Sequence, residues 1–90
     1  MDRQQLINRV VELTRQLTPI SDMAVLLGVH ESDLRLELFE SDSDVALAYR
    51  RTRAEVALEI RIRDLDMAAA GSPTAAENVS RHLAKLLQND

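Results

Sequence analysis

Apolar residues recur every three or four positions along most of the chain, which is the spacing typical of amphipathic helices. The first such stretch predicts a helix over residues 3–17, with polar residues on its other side. Its apolar positions are Leu6, Val10, Leu13 and Leu17.

A tight turn separates the next two predicted helices. The second helix is expected from about Pro19 to Leu27, because Thr18 can cap it and proline fits a first helical position, where no amide hydrogen is needed. Gly28 then follows, a residue that readily adopts the positive φ of a helix end. A third, short helix carries Leu34 and Leu38 four residues apart. The pattern indicates a helix, a tight turn and a helix over about residues 19–39.

Two further helices complete the pattern. Ser41 stands three residues before Asp44, which approximates a capping box, and a long helix is predicted from about residue 43 to residue 70. Gly71 is its expected left-handed cap. The last helix begins either at Ser72, with proline next, or at a competing box that Thr74 forms with Glu77.

Two segments also alternate between apolar and other positions, as half-buried strands do. Leu34, Leu36 and Leu38 form one, and residues 58–63 form the other. Helix formers flank both segments, and nothing between them resembles a hairpin turn. We therefore interpret both as helical.

The long helix carries apolar residues on two roughly opposite sides, at about 100° per residue. A helix with two apolar sides needs two neighbours, which can be other helices of this chain or a second copy. One side holds Leu47, Ala54, Leu58, Ile62 and Leu65, and the other holds Val45, Tyr49, Val56, Ile60 and Met67. The candidate interface residues are Val45, Tyr49, Val56, Leu58, Ile60 and Ile62.

Composition supports an all-α fold in a single domain over residues 1–90. Leu, Ile, Val and Phe make up 26 of the 90 residues, enough for a core, whereas only two residues are aromatic. We expect about five helices: an amino-terminal helix-turn-helix unit at about 19–39, then the long helix and a final antiparallel helix over about 42–88. A chain this small gains stability from association, which favours a homo-oligomer.

The chain lacks the residues that several kinds of catalytic and binding site require. The chain has no cysteine, its two glycines cannot build a phosphate-binding loop, and neither His30 nor His82 has a partner at metal-ligand spacing. We therefore expect no enzyme, no cofactor and no metal site. No apolar run approaches the length of a membrane span and the amino terminus does not resemble a signal peptide, so we expect a cytoplasmic protein without a membrane partner.

Positive charge is concentrated in the second half of the chain. Residues 1–45 carry four basic and nine acidic side chains, and residues 46–90 carry seven and six. On the long helix Arg50, Arg53 and Arg61 fall along one edge, and we call them the arginine row. This row is the candidate for phosphate contacts, although a flank paired with neighbouring acids is the competing interpretation.

Three groups of residues follow one another in a characteristic order along the chain. They are Ala24, Gly28, Val29 and Leu34 of the turn unit, Tyr49-Arg50 in the long helix, and the stretch Ala68-Ala69-Ala70-Gly71-Ser72-Pro73. Over about residues 19–80 this order resembles small terminase subunits and related phage-derived helix-turn-helix proteins. The resemblance implies DNA recognition by the helix-turn-helix, self-association through the central helices, and a large terminase subunit as partner.

The resemblance and the charges together give two alternative functions. In the first, the chain binds double-stranded DNA, with Ser32 and Arg35 facing bases and the arginine row contacting phosphates. In the second, it is a small helical oligomeric interaction module without DNA binding. The second alternative is supported by three carboxylates on the helix that would enter the major groove, at Glu31, Asp33 and Glu37.

Overall fold

A computed structural model of the chain describes residues 1–89 and confirms the all-α fold, since this range contains five helices and no strand. Both segments that alternate in sequence lie inside helices. The helices are α1 (Arg3–Arg15), α2 (Ile20–Leu27), α3 (Glu31–Glu40), α4 (Asp44–Ala69) and α5 (Pro73–Asn89).

The first helix ends two residues earlier than the sequence predicts. Leu17 adopts a left-handed conformation with φ of 61°, and the amide of Thr18 donates to the carbonyl of Leu13 at 3.0 Å. This hydrogen-bond pattern is the Schellman ending of a helix, normally formed with glycine. At the other end Asp2 and Gln5 form a reciprocal capping box.

The two glycines end helices in the same way, as the sequence predicts. Gly28 closes α2 with φ of 72°, and Gly71 follows α4 with φ of 101°. In each case the next amide donates back to a carbonyl five residues earlier, from Val29 to Ala24 and from Ser72 to Met67. The left-handed geometry turns the chain sharply at both points.

At two of the predicted helix starts, the structure has a different capping residue from the predicted one. Pro19 itself is the cap residue of α2 and no side chain caps that helix, so the expected Thr18 cap is wrong. At α4 the hydroxyl of Ser43, not Ser41, accepts the amide of Ala46 at 3.1 Å. The chain leaves α3 in an extended conformation, which places Ser43 one residue before the helix. For α5, Ser72 is the cap, since its hydroxyl accepts the amide of Ala75.

The chain forms two compact units, residues 1–55 and the part from Val56 onward. The first unit contains α1 to α3 and the first half of α4, and it has a continuous apolar core. Met23 and Leu38 are completely buried there. The remaining core members are Val10, Leu13, Ala24, Leu34, Val45 and Tyr49, and Leu6, Ile7, Ile20 and Leu27 pack against them.

The second unit is a helical hairpin made of the end of α4 and the whole of α5. The two helices run in opposite directions, because Asp64 near the end of α4 contacts Asn78 and His82 in the middle of α5. Its large apolar side chains are mostly exposed. Those with about half of their surface exposed or more are Leu58, Ile62, Leu65, Met67, Leu83, Leu86 and Leu87.

Candidate interaction surfaces

The predicted helix, turn and helix is present in the first unit. α2 and α3 contact each other on either side of residues 28–30, and Ala24 and Leu34 are both buried in the core of this unit. A small residue at position 24 lets the helix backbones approach closely, and Gly28 supplies the left-handed turn. These positions are the ones on which the resemblance to helix-turn-helix proteins rests.

The exposed surface of α3 is acidic and apolar. Ser32 is exposed, and Arg35 is held by Glu31 of the same helix at 3.1 Å. Asp33, Leu36 and Glu40 are exposed at spacings of three and four, so they share one side of the helix, which we call the α3 ridge. Within residues 1–89 neither Asp33 nor Glu40 has an ion-pair partner. The helix that would enter a DNA groove thus presents uncompensated negative charge.

Arg50 stabilises the end of α3. Its guanidinium donates to the carbonyl of Ser41 at 3.1 Å and to the carboxylate of Asp42 at 2.8 Å, and lies 3.5 Å from the carbonyl of Leu38. Carbonyl groups at a helix end lack partners within the helix, and a cation there satisfies them. This first member of the arginine row is therefore engaged within its own unit.

The other two members of the arginine row have different surroundings. Arg53 is exposed and lies over the ring of Phe39, 5.8 Å from its centroid. That ring in turn meets Tyr49 edge to face at 5.7 Å. Arg61 belongs to the second unit, where it lines an apolar groove. The three arginines therefore do not share the role that sequence spacing assigns to them.

The arginines of α1 are all paired with acids. Arg3 contacts Asp44 at 2.8 Å and Glu37 at 3.5 Å, Arg9 contacts Glu12, and Arg15 contacts Glu55 at 2.8 Å. The hydrogen bond from Arg3 is the main cause that holds the pKa of Asp44 below its ordinary value. Arg3 ties α1 to α3 and to the start of α4, and Arg15 ties α1 to the middle of α4, whereas Arg9 pairs within α1; these pairs favour a structural role.

The candidate interface residues divide into two groups. Val45, Tyr49 and Val56 are buried within the chain and offer no surface to another protein. Leu58, Ile60 and Ile62 keep between 43% and 49% of their surface exposed. Periodicity alone places these residues on two apolar sides of α4. Only the packing of the other helices shows which part stays uncovered.

The uncovered residues border an open groove between α4 and α5, which we call the hairpin groove. It has a volume of about 730 Å³ and runs from Ala57 to Leu65 on α4 and from Val79 to Asn89 on α5. Most of its lining is apolar. Its charged members are Arg61 and Lys85, no carboxylate lines it, and neither cation has an ion-pair partner in residues 1–89.

A polar cluster joins the two helices of the hairpin. Asp64 Oδ2 lies 2.9 Å from His82 Nε2, and Asn78 donates to Asp64 Oδ1 at 3.4 Å. The Asp64 side chain is only 15% exposed. The hydrogen bond with His82 is the main cause that lowers the pKa of Asp64 below its usual range, against the opposing effect of burial. The sequence missed this pair because its members are 18 residues apart.

Residues 1–89 were also compared with the requirements of a metal site and of a membrane-spanning helix. No group of three histidines or carboxylates in residues 1–89 is placed to hold a metal ion. Likewise, none of the helices in that range is both long and apolar enough to span a bilayer. Comparison with protein-family models, curated proteins and solved structures finds no match to this chain.

Proposed function

We propose that the chain is a self-associating helical interaction module, in which the carboxyl-terminal hairpin contacts another protein chain. The observation that carries the proposal is the hairpin groove, with leucines on both helices left half exposed. Large exposed apolar surfaces on small proteins are typical of interaction sites. The proposed role is one of binding, without catalysis, cofactor or metal.

Sedimentation velocity over a concentration series tests self-association. We expect reversible association, and Ile62→Glu in the groove should weaken it at least about tenfold, because a charge would be buried in an apolar contact. Leu26→Glu is the matched control, since Leu26 is equally exposed but lies on α2. A protein that stays monomeric at every concentration, or equal effects of both variants, would contradict the proposal.

Binding to double-stranded DNA is the second candidate function. It is favoured by the geometry of α2, the left-handed turn at Gly28 and α3, on which the resemblance to small terminase subunits rests. Arg53, which has no ion-pair partner in residues 1–89, would supply a phosphate contact beside α3, and Ser32 and Arg35 would face the bases. In that case a large terminase subunit is the protein partner that the resemblance implies.

Fluorescence anisotropy of a labelled duplex, measured at several salt concentrations, tests DNA binding. We expect Arg53→Ala to weaken binding to all sequences and to reduce the slope of log affinity against log salt by about 1. Arg9→Ala is the control, because Arg9 is already paired with Glu12 on α1. Absence of binding at low salt, or an unchanged slope for Arg53→Ala, would exclude this mode.

A further inference from the structure

The hairpin groove and the α3 ridge are complementary in charge and in shape. The groove has an apolar floor with Arg61 and Lys85 as its charged members, and it is concave. The ridge is convex, with Leu36 between Asp33 and Glu40. Each surface therefore carries two charges that lack partners in residues 1–89, and the charges are of opposite sign.

The lengths of the two surfaces also correspond. At 1.5 Å per residue, the groove lining extends for about 12 Å on α4 and about 15 Å on α5. Asp33 and Glu40 are seven residues apart, which is about 10.5 Å along α3. A helix that docks in a groove uses residues at such spacings on one side. The ridge is therefore short enough to lie along the groove.

Two grooves cannot fill each other in the same way. In a symmetric contact between two hairpin grooves, the same patch faces itself, so Arg61 and Lys85 of one copy would find no carboxylate in the lining of the other. Two concave surfaces would also leave the leucines between them poorly packed. The occupant must therefore be a convex, acidic and apolar helix, and α3 of a second copy has this chemistry.

From this complementarity we propose that the hairpin groove binds the α3 ridge of a second copy of the chain, in a head-to-tail contact. The inference rests on the proposed self-association and specifies its surfaces. A head-to-tail contact repeats from copy to copy, so it gives a closed ring or an open chain of subunits. It also places α3 inside the assembly, where this helix is not accessible to DNA.

Charge reversal followed by mixing tests the proposal. Asp33→Lys with Glu40→Lys reverses the ridge, and Arg61→Glu with Lys85→Glu reverses the groove; all four positions are exposed, so both variants should keep their helicity. By sedimentation velocity we expect each double variant alone to associate at least about tenfold more weakly than the original chain. An equimolar mixture should associate again, because each ridge then meets a groove of opposite charge.

A matched control tests whether the loss of association is specific to charges in the groove. Arg63→Glu with Arg81→Glu makes the same change of net charge on the same two helices, at exposed positions outside the groove lining, and should leave association unchanged. Association that persists in both reversed variants, or a mixture that does not recover, would overturn the α3 contact while leaving self-association intact. A protein that is monomeric throughout would overturn both.

Discussion

Leu17 is the one non-glycine residue with positive φ in residues 1–89, and it ends α1 where the other sharp endings use glycine. A left-handed conformation costs an L-residue about 1–2 kcal/mol. The side chain is 65% exposed, so little packing compensates that cost. We expect Leu17→Gly to raise the free energy of unfolding by about 0.5–1 kcal/mol, after allowance for the greater chain entropy of glycine.

Urea denaturation of Leu17→Gly beside Gly28→Ala measures this effect. Gly28 has the same type of backbone conformation, and a Cβ there would meet no atom within 4 Å, so only backbone strain opposes the alanine. Gly28→Ala should therefore lower the free energy of unfolding by about 1 kcal/mol. If Leu17→Gly is instead destabilising, the leucine packs in solution and the strain argument fails.

Asp64 gives the hairpin a defined response to acid. Its pKa is lower in the folded chain than in the unfolded chain, mainly because of the hydrogen bond with His82. A depressed carboxyl pKa contributes stability above the unfolded value of about 3.9, and this contribution is lost as the pH falls through the folded pKa. We expect His82→Ala to raise the pKa of Asp64 toward its ordinary value, measured by an NMR titration of the side-chain carboxyl group. An unchanged midpoint would show that His82 does not hold the carboxylate.

At the scale of the helix, the sequence leaves two possible caps for α5, Ser72 and Thr74, and the structure shows which of them forms. The hydroxyl of Ser72 accepts the amide of Ala75 at 3.2 Å, whereas no hydrogen bond to the Thr74 side chain is present in the described part of the chain. Removing a serine cap costs about 1 kcal/mol. We expect Ser72→Ala to lower the thermal midpoint of the hairpin, followed by circular dichroism, and Thr74→Ala to leave it nearly unchanged. Equal effects would indicate that the Thr74 box forms in solution.

The helices themselves could be predicted because their signals are local. Apolar spacing and the glycines at 28 and 71 determine where α2, α3 and α4 lie within one or two residues. The end of α1 could not be predicted, since no rule based on residue type places a leucine in a left-handed turn. The Ser43 cap also depends on the extended exit of the chain from α3, which sequence spacing does not show.

The surfaces were less predictable because they depend on long-range packing. Val56 and Leu58 are two residues apart and equally apolar, yet one is buried and the other half exposed. Arg50 and Arg61 lie along one edge of a helical wheel, but the first binds the end of α3 and the second lines the hairpin groove. Neither distinction can be derived from a single helix, since each is decided by the residues packed against it.

At the scale of the whole chain, the two units differ in how much core each possesses. The first unit buries Met23, Leu38 and Val10 completely, in a cluster shared by four helices. The hairpin leaves most of its leucines half exposed. Charge differs as well: residues 1–55 carry seven basic and ten acidic side chains, whereas the hairpin groove carries only cations. This combination favours contact between unlike surfaces of neighbouring copies.

The difference in core predicts a concentration-dependent pattern of amide hydrogen exchange. A segment with few buried apolar contacts opens locally at low free-energy cost, so the amides of α5 should exchange faster than those of α1 and α2 in dilute protein. Association covers the groove and stabilises the hairpin by mass action. Raising the concentration should therefore slow exchange in α5 and leave α1 nearly unchanged.

In the Asp33→Lys, Glu40→Lys variant we expect no such slowing, because its ridge no longer matches the groove. If α5 is as protected as α1 in dilute solution, the hairpin is stable alone and exposed leucines do not require a partner.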